Sequence, residues 1–85
     1  MQKVVIYTTA TCPYCRDAKK LLEKKGVKYH EILVDKDRDK LEEMIKLSGR
    51  RGVPQIFIND KHIGGFDDLS ALAISGKLDS LLKGE

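Results

Sequence analysis

"KVVIYTTATCPYCRDAKKLLEKKG", residues 3–26, carries a strand pattern, a cysteine pair and a helix pattern in one unbroken run. Residues 3–9 are mostly apolar and β-branched and end in two threonines, the pattern of a short strand buried on both faces of a sheet. Pro13 suits a first helical position, and Ala18, Leu21 and Leu22 then recur at helical spacing until Gly26 stops the run. Cys12 and Cys15, the only two cysteines of the chain, therefore stand at the start of a helix that follows a buried strand.

Working outward, "VKYHEILVD" (residues 27–35) alternates Tyr29, Glu31 and Leu33 against His30, Ile32 and Val34, which predicts a second strand. Asp35 to Asp39 supply cap residues for a helix bearing Leu41, Met44, Ile45 and Leu47, ended by Ser48 and Gly49. A right-handed crossover through the first helix makes the first two strands parallel neighbours. "PQIFINDKHIGG" (residues 54–65) then holds two short strands joined through Asn59 and Asp60, an antiparallel hairpin. Asp67 or Asp68 is the expected cap of a last helix with Leu69, Leu72 and Ala73, interrupted at Gly76 and resumed through Leu78, Leu81 and Leu82. The expected fold class is α/β, in the order β-α-β-α-β-β-α: a four-stranded mixed sheet with helices on both faces.

The 85 residues, 41% hydrophobic and 34% charged, describe one ordinary globular domain over 1–85 with no repeat. The net charge of +3 does not gather into a block, since acids and bases alternate along "DKDRDKLEEMIK" (residues 35–46), so no nucleic-acid partner is expected. The first ten residues lack a signal peptide's apolar run, and no stretch reaches the ~20 apolar residues of a membrane span. A soluble, cytoplasmic protein with no membrane partner is the expectation.

Cytosolic thiols are kept reduced, and two cysteines three positions apart close too short a loop to make a useful staple. A zinc or iron–sulfur site needs about four ligands, and this chain offers only His30 and His62 besides, on separate strands; no protein-only metal site is expected. Redox chemistry suits the placement better. The free N–H groups and positive dipole end of the helix favour a thiolate at Cys12, and Cys-X-X-Cys motifs in such settings have thiol pKa values lowered from ~8.5 to between ~3.5 and ~7.5. Positions i and i+3 share a helix face, so Cys15 is placed to close a disulfide once Cys12 has attacked.

On three separated motifs, "TCPYC" at 11–15, "GVPQIFI" at 52–58 and "HIGGFDDLSAL" at 62–72, the chain resembles the glutaredoxins, the small dithiol type found in bacteria. The resemblance implies the thioredoxin fold and a glutathione-dependent oxidoreductase that reduces protein disulfides and protein–glutathione mixed disulfides, with Cys12 as nucleophile and Cys15 resolving. Glutathione is then a co-substrate, no cofactor is held permanently, and the protein is a monomer. Its partners are disulfide-bonded or glutathionylated proteins, ribonucleotide reductase among them.

The resemblance also implies a cis Val53–Pro54 peptide facing the cysteines, with the Val53 main chain offered to the cysteinyl unit of glutathione. Gly65, Phe66, Asp67 and Asp68 would hold the γ-glutamyl end, Tyr14 would lie beside the tripeptide, and Arg50, better placed than Arg51, would meet the glycine carboxylate. Two departures bear on affinity: Thr9 stands where many relatives have a lysine, and Gly52 where they have a threonine. The alternatives are a thioredoxin-like reductase fed by a flavoprotein reductase and a glutathione-assisted iron–sulfur cluster carrier.

Overall fold

The computed structural model describes residues 3–83. Its elements are β1 (Val4–Thr8), α1 (Pro13–Lys24), β2 (His30–Leu33), α2 (Arg38–Ser48), β3 (Gln55–Ile58), β4 (Lys61–Gly64), α3 (Phe66–Ser75) and α4 (Lys77–Lys83). The strands form one sheet in the order β2-β1-β3-β4, with β1 parallel to β2 and antiparallel to β3, and β3 antiparallel to β4. This is the thioredoxin fold. The expected order holds, with the final helical stretch divided into α3 and α4 at Gly76, as the interruption there implied.

The two central strands are apolar on both faces because both faces are covered. From β1, Val4 and Ile6 pack with Ala18, Leu22, Ile56, Ile58, Leu69 and Leu78 on one side. Tyr7 packs with Val34, Met44 and Phe57 on the other. Burying a side chain such as Ile6 or Leu22 contributes roughly 1.5–3 kcal/mol, so each layer fixes its helices firmly against the sheet.

Local chemistry sets the ends of the elements. Gly26 takes φ +73°, and the N–H groups of Gly26 and Val27 donate to Glu23 and Leu22 carbonyls at 3.0 and 3.1 Å, a Schellman stop. Asp37 caps α2, its carboxylate accepting the Asp39 and Lys40 N–H groups at 3.0 and 3.3 Å. The hairpin turns on Asn59 (φ 52°) and Asp60 (φ 67°), both left-handed as a two-residue type I′ turn requires.

Three expectations need correction. The second strand is shorter than residues 27–35, pairing with β1 only over His30–Leu33. Leu47 follows the apolar spacing of α2 yet is 56% exposed. Neither Asp67 nor Asp68 is the N-cap of α3: Gly65 is, and Asp68, at the third helical position, accepts the Gly65 N–H at 3.1 Å.

The register shows why chemistry gathers at one edge. Tyr7 pairs with Gln55, and Ile56 with Gly64. The C-terminal end of β1, the start of β3 and the end of β4 therefore lie side by side, and the segments leaving or entering them there are the Cys12 loop, Val53–Pro54 and Gly64–Gly65.

Candidate active site

Cys12 is the N-cap of α1, extended at φ −90° and ψ 114°, with Pro13 opening the helix. Its Sγ accepts the Cys15 N–H at 3.2 Å. As a thiol, Cys12 donates to the Val53 carbonyl oxygen at 3.7 Å, which ties it to the opposite wall. Both cysteines are free; Cys12 is half-buried, whereas Cys15 is 1% exposed.

The two thiols differ in chemistry as well as access. Burial, and then the hydrogen bond with Cys12, push the Cys15 thiol up to about 12, against an opposing backbone N–H of Thr9 and the charge of Lys19. Cys15 thus stays protonated at neutral pH in the reduced protein.

Beside Cys12 opens a groove of about 290 Å³, lined by Tyr14, Arg50, Val53, Pro54, Gln55, Gly65, Phe66, Asp67 and Asp68. All eight residues expected to hold a ligand line this one groove. The Val53–Pro54 peptide is cis. Tyr14, 61% exposed, stacks on Phe66 with ring centroids 6.2 Å apart, so the cysteine loop and α3 close one end together.

The polar end of the groove is held by Asp68. Its carboxylate accepts the Gly65 N–H and, at 3.2 Å, Arg50 Nη1; these two, in that order, hold its carboxyl below the usual carboxylate range. Asp67, one residue earlier, has no hydrogen-bonding side-chain partner among the described residues. The N–H groups of Phe66 and Asp67, the first two of α3, have no intrahelical acceptor. A free carboxylate beside free N–H groups can take an ammonium and a carboxylate from one ligand.

Arg50 and Arg51 part company. Arg50 faces the groove, while Arg51 lines a separate surface hollow on α2 with Arg38, Leu41 and Glu42. Gln55 is a groove residue that sequence reasoning missed. Only 4% exposed, it donates Nε2 to the Gly52 carbonyl at 3.0 Å and pairs Oε1 with His62 Nε2 at 2.8 Å. The signal was there: a lone polar side chain opening an otherwise apolar strand. Among the described residues, no three His, Cys, Asp or Glu side chains gather where they could hold a metal ion.

Comparison with known proteins agrees with this geometry. The glutaredoxin family model matches residues 4–63. Glutaredoxin 3 of Escherichia coli (strain K12) is 59% identical over 83 residues, covering 98% of this chain and all of the relative. The glutaredoxin of Pseudomonas aeruginosa is 52% identical over 82 residues, covering 96% and 98%. Among solved structures, a buckwheat glutaredoxin–glutathione complex superposes with a TM-score of 0.89 at 32% identity, covering 98% of this chain and 78% of that one. The solution structure of a Brucella melitensis glutaredoxin gives 0.86 at 51%, covering 98% and 91%. With relatives matched nearly end to end and a helix-capping cysteine set against a cis-proline, the chain belongs to the glutaredoxin family.

Proposed function

We propose a division of labour within this glutathione-dependent thiol–disulfide oxidoreductase: Cys12 is the nucleophile, Cys15 resolves, and the groove from Tyr14 to Asp68 seats glutathione, the co-substrate. One observation carries the reading. The half-buried, N–H-capped sulfur of Cys12 sits against Val53, a wall of the groove that also offers free helix N–H groups and a free carboxylate.

In deglutathionylation, the Cys12 thiolate attacks the glutathionyl sulfur of a protein mixed disulfide. The Cys12–glutathione bond forms as the protein sulfur leaves as a thiolate and picks up a proton. A second glutathione thiolate attacks the glutathione sulfur on Cys12, giving glutathione disulfide and regenerating Cys12. With a protein disulfide, Cys12 forms the mixed disulfide with substrate, and Cys15 attacks Cys12 to leave the Cys12–Cys15 bond, which two glutathiones reduce.

Within the groove, the α-carboxylate of glutathione meets the Phe66 and Asp67 N–H groups, and Asp67 takes the ammonium, since Asp68 is engaged by Gly65 and Arg50. Arg50 reaches the glycine carboxylate, Val53 and Pro54 flank the cysteinyl unit, and Tyr14 and Phe66 cover it. Thiol–disulfide partners are then glutathionylated or disulfide-bonded proteins. No helix among the described residues is long and apolar enough to cross a membrane.

The test is reduction of a glutathionylated peptide with glutathione as the only reductant, comparing wild type, Cys15→Ser and Cys12→Ser. Activity in the first two and none in the third is the expected result. A wild type inert with glutathione but driven by a flavoprotein reductase and NADPH would overturn the glutathione groove.

A further inference from the structure

Beneath the cysteine helix, one carboxylate oxygen joins three elements. Glu31 Oε2, on β2, accepts the Thr8 hydroxyl at 2.6 Å and Lys19 Nζ at 2.8 Å. Thr8 is fully buried at the end of β1, and the Lys19 and Glu31 side chains are only 29% and 30% exposed. Lys19 first, then Thr8, hold the Glu31 carboxyl below its usual range. An exposed helix ion pair has no such buried hydroxyl beneath it.

The network borders Cys15 on two sides. Lys19 follows Cys15 by four residues on α1, so the two share a helix face. Thr9, next to Thr8, donates its backbone N–H to the Cys15 sulfur. The cation beside Cys15 and the strand end that supplies its N–H are thus both anchored through Glu31.

We propose that Lys19, aimed by Glu31 and through it by Thr8, is a positioning residue for the resolving step: its ammonium stabilises the negative charge that develops on the Cys15 sulfur. This rests on the division of labour between Cys12 and Cys15 given above. The step is balanced without a further reagent. A mixed disulfide on Cys12 plus the Cys15 thiol gives the Cys12–Cys15 disulfide plus the free substrate thiol; the Cys15–Cys12 bond forms, the Cys12–substrate bond breaks, and the Cys15 proton ends on the departing sulfur.

In the reduced protein Cys15 is a neutral thiol, and in the oxidised protein it is bonded. Lys19 therefore faces a neutral sulfur in both ground states and acts on the rate, leaving the redox potential of the pair at neutral pH unmoved. A merely structural ion pair would not separate rate from potential in this way.

The experiment mixes reduced protein with excess glutathione disulfide, quenches with acid at intervals and follows by mass the Cys12–glutathione adduct and its collapse to the internal disulfide. We expect Lys19→Met to slow collapse about three- to fivefold, the range of a partly exposed charge pair, with Lys19→Arg within about twofold of wild type. Glu31→Gln, which frees Lys19, falls between them. The potential of the pair, from equilibration with glutathione buffers, is the same in wild type and Lys19→Met. Lys19→Met collapsing at the wild-type rate, Lys19→Arg failing to rescue, or a potential that moves with the rate would each overturn the assignment. Failure of the wild type to take up glutathione on Cys12 would instead bring down the division of labour, and this inference with it.

Discussion

Two helix N-termini face each other across the groove, and they are capped in opposite ways. That of α1 is capped by a side chain, the sulfur of Cys12, which accepts the Cys15 N–H and is the nucleophile in the proposed mechanism. That of α3 has no capping side chain; Gly65 stands at the cap, and the Asp68 carboxylate reaches back to it from the third helical position. The helix dipole and free N–H groups are the same physical resource at both ends. At α1 they meet an atom of the protein, and at α3, in the proposed function, they are left open for an anionic ligand.

The strongest way to break this contrast is Cys12→Ser. Serine is a preferred N-cap, so the helix start is kept or improved by a few tenths of a kcal/mol, while the nucleophile is lost. The expected outcome is a fall of at least about a thousandfold in deglutathionylation with Tm unchanged or up to about 4 °C higher. A variant that loses Tm along with activity would show that the sulfur holds the loop and does not merely react from it.

Gly64→Ala attacks the other terminus through the backbone. Gly64 sits at φ +125°, and a Cβ there would run into the Asp68 carboxylate and lie 2.9 Å from Asp68 Cβ. Moving Asp68 away breaks its bond to Gly65 and its pair with Arg50, so strain and a lost cap combine to about 2–4 kcal/mol and lower Tm by roughly 10–20 °C. Calorimetry of the reduced protein reads it; a drop under a few degrees would mean that α3 starts without help from Asp68.

Arg50→Met against Arg51→Met sharpens the comparison at the level of ligand. Adjacent in sequence, the two face different hollows. Arg50→Met is expected to raise KM for glutathione about fivefold with kcat little changed, and Arg51→Met to shift KM by less than about twofold. Equal effects would place the glycine carboxylate outside the groove.

How far these features were legible follows from the range of the interactions behind them. The start of α1 was readable because every signal is local: a proline, a cysteine pair, a helical repeat and a glycine stop within residues 11–26. The hairpin was too, since its turn needs only two residues tolerant of φ > 0. The start of α3 misled because Asp67 and Asp68 are both good caps in isolation. What selects Gly65 is the exit from β4 through Gly64, a tertiary constraint. Leu47 fits the helical period of α2 but lines a surface hollow with Phe57 and His62 and stays exposed. Tyr14, Arg50, Val53 and Phe66 were located by likeness to a family; their convergence on one groove is a property of strand register. The Thr8–Glu31–Lys19 knot spans β1, β2 and α1, and no periodicity reveals it.

The subtlest difference between the termini is electrostatic, and Asp68→Asn isolates it. Asparagine keeps an oxygen for the Gly65 N–H and loses only the charge that faces that N–H and Arg50. The Asp68 carboxyl lies below its ordinary value of 3.8 in the folded protein, because the charged form accepts these bonds. A depressed folded value means that its stabilisation is complete above the unfolded value and is lost as pH falls through the folded one. The Tm advantage of wild type over Asp68→Asn should therefore be small and level from neutral pH to well above 3.8, and shrink as the pH falls through and below that value. Melting curves across that range check it. An advantage that persists unchanged into acid would mean that Asp68 works through shape and hydrogen bonding alone, and that the α3 terminus offers its ligand open N–H groups without a charge to orient them.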